Sequence, residues 1–205
     1  MVYISDHPLI KHRISVMRDK NTSTAAFRTA AEEVAALLTY EAMRSAEMRS
    51  VHIKTPVTEA DVPVLADESP AVIPILRAGI GMLNGVVRLL PDACVGYIGL
   101  ARDEQTHMPS EYMVKLPEMH SRTVIVPDPM LATGGSAKYA IDLIKQHGAE
   151  KIIFICIIAA PEGIDALQSA HPDIDIYAGT LDERLNENAF IVPGLGDAGD
   201  RLHGI

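Results

Sequence analysis

Residues 124–137 read VIVPDPMLATGGSA, and this stretch is the most informative part of the chain. A β-branched run ends at Asp128, a short loop follows, and residues 133–136 (TGGS) lead into a segment with helical periodicity. A strand, a small-residue loop and a helix in this order are typical of an α/β sheet. The first N–H groups of such a helix have no partner inside it, and the helix dipole favours an anion there. The stretch therefore predicts an anion-binding loop at the carboxyl end of a strand.

The residue types of this loop favour a phosphorylated sugar as the ligand. Gly134 and Gly135 can adopt a positive φ and leave no Cβ between the backbone and a ligand. Thr133 and Ser136 add hydroxyl donors, whereas Asp128 would repel a phosphate and suits sugar hydroxyls or a metal beside it. The glycine turn alone is equally consistent with a tight strand-to-helix connection. It lacks the Gly-Lys-Ser/Thr of a P-loop and the third spaced glycine of a dinucleotide fingerprint.

Outward from this loop, apolar runs alternate with helical patterns. Continuous apolar runs predict buried strands over residues 71–76, 94–101, 123–127, 151–159 and 174–179. Helices are predicted from Thr22 or Ser23 to about Met48 and over residues 79–90, 137–147 and 163–170. The rest is predicted as a short extended region over residues 51–57, a polar flap hairpin over 102–117 and a loop-rich segment over 181–205. This order predicts one α/β domain over residues 1–205, a doubly wound, mostly parallel sheet flanked by helices.

Composition narrows the classes of function. The chain has 205 residues and a formal net charge of −9, which disfavours nonspecific binding to nucleic acid or to an anionic membrane. Cys94 and Cys156 lie in apolar runs and are predicted to be buried free thiols. The N-terminus shows no apolar signal segment, and the apolar run 152–161 is too short to span a bilayer. A soluble, cytoplasmic protein is therefore predicted, and the eight histidines show no metal-ligand spacing.

Further site candidates stand at the ends of predicted strands. Arg77 follows strand 71–76 and Arg102 stands at the base of the flap, where a guanidinium can grip a diphosphate. Each also fits a solvent-exposed turn. Residues 191–201 read IVPGLGDAGDR, and their glycines allow the backbone to approach a flat ligand. The apolar residues 190–192 argue against a disordered tail.

The 124–136 stretch resembles the phosphoribosyl-diphosphate (PRPP) motif of the type I phosphoribosyltransferases. The usual motif of that family carries two adjacent acids, whereas here Pro129 follows Asp128, the form typical of uracil phosphoribosyltransferases. The segments PILRAG, GLARDE and PGLGDAGDR, at residues 74–79, 99–104 and 193–201, are similar to the same enzymes. Residues 7–12 (HPLIKH) and 37–42 (LLTYEA) are similar as well. The resemblance therefore runs nearly from end to end.

The resemblance implies transfer of the 5-phosphoribosyl group from PRPP to N1 of uracil, giving UMP and diphosphate. It implies a type I phosphoribosyltransferase fold with a C-terminal hood and catalytic roles for Arg77, Arg102 and Asp128. PRPP binding is assigned to these three residues and to Pro129, Met130, Leu131, Ala132, Thr133, Gly134, Gly135, Ser136 and Asp197. Uracil binding is assigned to Ile191, Gly196, Asp197 and Ala198, because alternating main-chain groups can match the acceptor, donor and acceptor along one edge of uracil.

The same resemblance implies Mg²⁺ as the cofactor, carried on the diphosphate, with Asp197 as a contact to PRPP or its metal. It also implies a homodimer or homotetramer and a GTP effector, whereas His107, Tyr112 and Lys115 of the flap receive no role. Two alternatives stay open. One is a related transferase for orotate or a purine base, which would be expected to keep the paired acids. The other is a regulator that senses PRPP or UMP and binds RNA.

Three expectations about variants follow. Asp128→Asn is expected to lower activity with nearly unchanged thermal stability. The side chain of Leu195 is expected to matter little, because main-chain groups read the base. Truncation before Gly194 is expected to remove uracil turnover and leave PRPP binding detectable.

Overall fold

The computed structural model describes residues 1–66, 69–102 and 109–205, and only the backbone of residues 102, 109 and 110. The strands are β1 (Val2–Ile4), β2 (Met48–Lys54), β3 (Glu59–Leu65), β4 (Ala71–Val72), β5 (Ile75–Leu76), β6 (Cys94–Val95), β7 (Tyr97–Arg102), β8 (Pro109–Lys115), β9 (Thr123–Pro127), β10 (Met130–Leu131), β11 (Lys151–Ala159), β12 (Asp175–Leu181), β13 (Arg184–Leu185) and β14 (Ile191–Val192). The α-helices are α1 (Pro8–Arg18), α2 (Thr24–Ala42), α3 (Ile80–Leu89), α4 (Gly135–Gln146), α5 (Pro161–Ala170) and α6 (Ala198–His203). A 3₁₀ turn spans Met43–Ser45.

The main sheet is parallel and runs in the order β1-β12-β11-β9-β4-β6, with β10 pairing on β11 beyond the end of β9. Successive side chains of β11 point to opposite faces of the sheet. Ile153, Ile155 and Ile157 pack into an apolar cluster with residues of α1, α2, α3 and α6. Phe154 and Cys156 pack into a second cluster with residues of α4 and α5. Helices therefore cover both faces, which confirms the predicted doubly wound sheet.

Helix α2 begins where the sequence places a cap and ends earlier than predicted. The N–H of Ala26 donates to Oγ of Ser23 at 3.3 Å, which satisfies one of the free donors of the first turn. The helix ends at Ala42 rather than near Met48. Met48 instead pairs with Leu65 in the antiparallel hairpin of β2 and β3, so long-range pairing overrides local helix propensity.

Two predicted strands are each divided between two sheets. The run 71–76 forms β4 in the main sheet and β5, which pairs with β7. The break falls at Pro74, which has no N–H to donate to a sheet. The run 94–101 divides at Gly96, where a Cβ would lie 2.6 Å from the Cδ of Pro117. The chain thus leaves the main sheet and forms a second sheet in the order β5-β7-β8.

The predicted flap is confirmed as a hairpin. Strands β7 and β8 pair antiparallel, from Tyr97 opposite Lys115 to Arg102 opposite Pro109. Residues 103–108, which include His107, lie outside the described residues. The flap joins the core through β5, so it emerges beside the loop that carries Arg77.

Two other regions contain more structure than the patterns indicate. The extended region predicted over residues 51–57 is one strand of the β2–β3 hairpin, whose strands have seven residues each. Asp61 and Pro63 obscure β3, since both residue types are depleted in strands. The loop-rich segment 181–205 contains β13, β14 and α6.

Within the described residues, no helix combines the length and apolarity needed to cross a bilayer. Both cysteine thiols are free, but Cys94 is only partly buried.

Candidate active site

The loop between β9 and α4 forms an open cradle of backbone donors. Gly134 precedes the helix with φ of 80°, and no side chain caps the helix N-terminus. The N–H groups of Gly135, Ser136 and Ala137 therefore have no partner within the helix. Asp128 and residues 130–137 line a small cavity of about 50 Å³ in front of them. Larger grooves of about 330 and 480 Å³ lie against α2 and α3, without this convergence of helix donors and a carboxylate.

The PRPP-motif residues divide into a buried floor and an exposed rim. Leu131 is 1% exposed, and the carbonyl of Pro129 accepts from the N–H groups of Ile157 and Ile158, each at 3.1 Å. Met130 and Ala132 pack against the first apolar cluster. These four motif residues attach the loop to β11. Because their side chains are packed away, mainly their main-chain groups remain available to a ligand. The rim consists of Thr133 and Gly135, which are exposed, and of Ser136, which is half-buried.

Close backbone packing fixes the loop from behind. A Cβ on Gly163 of α5 would lie 2.5 Å from the carbonyl oxygens of both Leu131 and Ala132. A Cβ on Gly134 would lie 3.0 Å from the carbonyl oxygen of Gly163. The N-terminal ends of α4 and α5 therefore meet across this loop with no room for side chains.

Asp128 is a half-buried carboxyl at the end of β9 with an altered acidity. Burial raises its pKa from 3.8 to about 7, and a hydrogen bond from the N–H of Met130 offsets part of that shift. The neighbouring Cys156 thiol is fully buried, and burial together with the charge of Asp128 raises its pKa as well. Cys156 therefore stays protonated and acts as an apolar core residue, whereas Asp128 titrates near neutral pH.

Arg77 supplies an exposed cation on the loop between β5 and α3. Its side chain is exposed, and within the described residues its guanidinium forms no hydrogen bond or ion pair. The Leu76–Arg77 peptide bond is cis. The Arg77 loop packs directly on the end of β9, because a Cβ on Gly79 would lie 2.5 Å from the carbonyl oxygen of Pro127. The two loops thus present a cation and an acid from adjacent positions at the carboxyl edge of the sheet.

The flap also borders the site. Arg102 ends β7, one strand away from the Arg77 loop, and its side chain lies outside the described part of the chain. Tyr139 of α4 donates a hydrogen bond from its hydroxyl to Oε2 of Glu111 on β8, at 3.3 Å. This contact links the flap to α4. No sequence pattern indicates it, because the two residues share no motif. Tyr112 packs its ring over Gly99.

The C-terminal segment closes the third side. A Cβ on Gly199 would lie 3.8 Å from the Cβ of Ala78, and one on Gly81 would lie 2.7 Å from the side chain of Leu202. Helix α6 therefore packs on the loop and helix that follow Arg77. The structure thus brings the Arg77 loop, the Asp128 loop and the C-terminal segment together, as the sequence predicts.

Within the C-terminal segment, buried side chains alternate with exposed main chain. Ile191 is 4% exposed and Ala198 is 1% exposed, whereas Gly196 and Asp197 face solvent. The N–H groups of residues 196–198 and the carbonyl of Gly196 form no hydrogen bond within the described residues. Asp197 caps α6, with its Oδ1 accepting from the N–H of Asp200 at 2.9 Å. Free donors and an acceptor thus stand next to one another on an exposed turn.

The strained glycine of the cradle gives the first prediction. Gly134→Ala and Gly148→Ala both place a Cβ at positive φ, of 80° and 89°, and each should destabilise the fold by about 1–2 kcal/mol. A Cβ on Gly148 meets nothing within 4 Å, whereas one on Gly134 presses on the Gly163 carbonyl. Only Gly134→Ala should therefore weaken the binding of an anionic ligand at the cradle, measured by calorimetry. Equal ligand affinity in the two variants would remove Gly134 from the cradle.

Comparison with known proteins agrees with this geometry. The solved structure of the hypoxanthine-guanine phosphoribosyltransferase (hpt-2) from Bacillus anthracis shares the fold, with a TM-score of 0.53 at 15% identity over 78% of this chain and 80% of that one. The AQ2163 protein from Aquifex aeolicus matches with a TM-score of 0.96 at 36% identity, over 100% of this chain and 99% of that one. The fold is that of the type I phosphoribosyltransferases.

The sequence comparisons are more specific. The family model "Uracil phosphoribosyltransferase" matches residues 4–205. The uracil phosphoribosyltransferase of Geobacillus kaustophilus (strain HTA426) is 56% identical over 204 residues, covering 99% of this chain and 98% of that protein. The one of Enterococcus faecalis (strain ATCC 700802 / V583) is 54% identical over 202 residues, covering 98% and 97%. The chain belongs to the uracil phosphoribosyltransferase family.

Proposed function

We propose that the chain transfers the 5-phosphoribosyl group of PRPP to N1 of uracil, releasing UMP and diphosphate. The observation that carries this proposal is the meeting of three elements at one sheet edge. They are the uncapped N-terminus of α4 beside Asp128, the unpaired Arg77, and the turn formed by the exposed residues 196–197 and the buried Ala198, whose N–H groups form no hydrogen bond within the described residues. Family membership selects uracil over orotate or a purine base as the acceptor.

The PRPP end of the reaction needs an anion site, a diol site and a leaving-group site. The N–H groups of Gly135, Ser136 and Ala137, with the hydroxyl of Thr133, suit a phosphate group. Asp128 suits the ribose hydroxyls, which can donate to a carboxylate. Arg77 suits the diphosphate, since a guanidinium can bind two phosphate oxygens at once. Arg102, at the base of the flap, is proposed as a second diphosphate contact.

The base end is proposed to use main chain. Uracil presents O2 and O4 as acceptors on either side of the N3–H donor. Free N–H groups at residues 196–198 can serve the oxygens, and the free carbonyl of Gly196 can serve N3–H. Ile191 is buried behind this turn and shapes the pocket rather than exposing its side chain to the ligand. Held in this way, N1 of uracil is aligned to attack C1 of the ribose as diphosphate leaves.

The residues present fit Mg²⁺ carried on PRPP. Magnesium prefers oxygen ligands and is usually held by one or two carboxylates together with substrate phosphates. Asp128 has a backbone hydrogen bond from Met130 and a raised pKa, and a cation beside it would favour its ionised form. The exposed Asp197 is a second carboxylate at the site. When bound, Mg²⁺ neutralises the charge that grows on the leaving diphosphate. Within the described residues, no group of three or more His, Cys, Asp or Glu is arranged to hold a metal ion.

Arg77 gives the second prediction. Arg77→Ala should raise the KM for PRPP and weaken product inhibition by diphosphate by about tenfold or more, the effect of losing one charge-assisted hydrogen bond. Arg77→Lys should recover only part of this loss, because an ammonium cannot reproduce the planar two-point contact. The matched control is Arg88→Ala, an exposed arginine on α3 away from the loop. Unchanged diphosphate inhibition in Arg77→Ala would show that another residue grips the leaving group.

The direct test of function is a panel of bases. The protein is incubated with PRPP, Mg²⁺ and uracil, cytosine, orotate, hypoxanthine or adenine, and nucleotide formation is followed by chromatography. Uracil alone should give a nucleotide at an appreciable rate. Turnover of orotate or a purine with none of uracil would overturn the proposal. Binding of RNA that weakens steeply with salt would instead support the regulator alternative, against which the net charge of −9 speaks.

The resemblance also leads us to propose a homodimer or homotetramer, a GTP effector and a cytoplasmic location. Sedimentation and initial rates with and without GTP measure the first two. The single-domain organisation over residues 1–205 likewise stays a prediction.

A further inference from the structure

One buried ion pair holds both backbone groups of Gly194, two residues before the exposed turn. The N–H of Gly194 donates to Oδ2 of Asp182 at 2.9 Å, and its carbonyl accepts from Nη1 of Arg18 at 2.7 Å. Nη1 of Arg18 also donates to Oδ2 of Asp182 at 2.8 Å, and Nη2 donates to Oδ1. The Asp182 side chain is 3% exposed and that of Arg18 is 27% exposed. This two-point, charge-assisted contact is therefore shielded from solvent.

The pair is anchored in the core rather than in the C-terminal segment. The N–H of Asp182 donates to the carbonyl of Ala159 at 2.8 Å, which ties it to the end of β11. Arg18 is the last residue of α1, whose inner face packs in the first apolar cluster. Gly194 itself has a φ of 64°, and a Cβ there would lie 2.1 Å from the carbonyl oxygen of Ile191. The pair thus holds Gly194 at a fixed position relative to the sheet, in a backbone conformation that glycine readily adopts.

A second arginine holds the next carbonyl. Nη1 of Arg201 donates to the carbonyl of Leu195 at 2.8 Å, and Nη2 donates to the carbonyl of Asp19 at 2.7 Å. The guanidinium lies over the ring of Phe27, 4.4 Å from its centroid. The carbonyls of two consecutive residues therefore accept from arginines of different helices, Gly194 from Arg18 at the end of α1 and Leu195 from Arg201 of α6. The N–H groups of residues 196–198 and the carbonyl of Gly196, which form no hydrogen bond within the described residues, follow immediately and do not point to these arginines.

We propose that Arg18 and Asp182 are positioning residues for base recognition. They fix the two peptide planes that flank Gly194, and thereby the direction in which the main chain of residues 196–198 meets the base. The inference rests on the proposed function, since it assumes that this turn reads uracil. Neither side chain is assigned a contact to uracil or PRPP, so both act through Gly194.

The test uses conservative variants of the full chain. Asp182→Asn keeps the shape of the side chain but loses the charge, and Arg18→Lys keeps the charge but loses the planar two-point contact to the carboxylate. Each should raise the KM for uracil by about tenfold to a hundredfold, the effect of losing one charge-assisted hydrogen bond. Affinity for PRPP, measured by calorimetry without uracil, should stay within about twofold, because the cradle is untouched. Discrimination against cytosine should fall in parallel.

Arg13→Lys provides the matched control on the same helix. Arg13 pairs with Glu33 of α2, and in the described part of the chain no hydrogen bond or ion pair joins it to the C-terminal segment. It should lower the unfolding temperature without changing the KM for uracil. A merely structural role for Arg18 and Asp182 would give this same pattern, so a normal KM in folded Arg18→Lys overturns the proposal. If Asp182→Asn does not fold, Arg18→Lys carries the test, since its site is partly exposed and its charge is kept.

The reaction of the wild-type chain distinguishes a failure of the proposed function from a failure of the positioning role. If the wild-type chain fails to convert uracil with PRPP, the proposed function is wrong. If it converts uracil and both variants keep its KM, the proposed function stands and only the positioning role is lost.

Discussion

Asp128→Asn should lower kcat/KM for PRPP by about 10- to 150-fold and, above pH 7, should make the protein more stable than the wild type. The loss of activity follows from replacing a charged acceptor of the ribose hydroxyls, an interaction of about 1.5–3 kcal/mol. The gain in stability follows from burial, which raises the pKa of this carboxyl from 3.8 to about 7. Between these pH values the folded chain retains a proton that the unfolded chain has lost.

The sign of the stability effect is therefore fixed. Where the native state binds more protons than the unfolded state, stability falls as pH rises. The destabilising contribution of Asp128 starts near pH 4, grows through pH 7 and is complete above it. Each pKa unit corresponds to about 1.4 kcal/mol, and the carboxyl keeps some solvent contact, so about 2–4 kcal/mol is expected. Asparagine has no charge to desolvate and escapes this contribution.

Urea unfolding near pH 4 and near pH 8 measures the difference. The variant and the wild type should be equally stable at the acid end and should diverge at the alkaline end. Asp165→Asn, on the exposed face of α5, is the control and should show no such divergence. A variant that is less stable than the wild type at both pH values would contradict the burial argument. The expectation of unchanged stability, drawn from the sequence alone, overlooked this desolvation.

Ala198→Pro should remove uracil turnover while leaving the fold and PRPP binding intact. Ala198 is the first residue of α6, where proline is favoured, and Asp197 before it has an extended conformation that proline accepts. The substitution therefore deletes one N–H from the base-reading turn with little other change. A hydrogen-bonding site in which one polar group is left without a partner discriminates between ligands by about 10⁴-fold in kcat/KM. For the same reason, the wild type should prefer uracil to cytosine by about 10⁴-fold.

The structure also sets the controls for this variant. Ala198 is 1% exposed, so the unfolding temperature must be compared with that of the wild type. Initial rates with uracil, calorimetry with PRPP alone and the uracil-to-cytosine ratio are the readouts. Wild-type rates with a folded Ala198→Pro protein would place uracil recognition elsewhere.

Burial changes two other expectations for the C-terminal segment. Leu195 is 3% exposed and belongs to the first apolar cluster, so Leu195→Ala should cost about 2–5 kcal/mol of stability even if recognition is main-chain. Truncation before Gly194 would remove Leu195, Ala198 and Leu202 from that cluster together. Such a chain is expected to lose its fold, so it cannot show that PRPP binding survives.

Patterns along the chain predicted the parts of the fold that local chemistry determines. The apolar run 151–159 is β11, and Ser23 caps α2 as its residue type indicates. The cradle was predictable because its glycines, hydroxyls and acid are adjacent in sequence. The breaks at Pro74 and Gly96 were missed, because continuous apolarity does not show which of two sheets a strand joins.

The least predictable features are contacts between distant residues. Arg18 and Asp182 are 164 residues apart, and nothing in either neighbourhood marks the pair. The need for glycine at positions 79 and 163 is likewise set by a carbonyl oxygen from another loop. The sequence could place the loops at one sheet edge, but it could not show how closely their backbones meet.

The shared strand β5 constrains how the flap can move. Leu76, next to Arg77, pairs with Gly99 of β7, so lifting the root of the flap would break ladder hydrogen bonds of about 0.5–1.5 kcal/mol each. The pairing of β7 with β8 shifts register between Gly99 and Leu100, just beyond this root. A hinge at that irregularity would leave Arg77 in place and would move Arg102, which lies beyond it. The described part of the flap is thus divided into a base that pairs with β5 beside Arg77 and residues 100–102, which pair with β8.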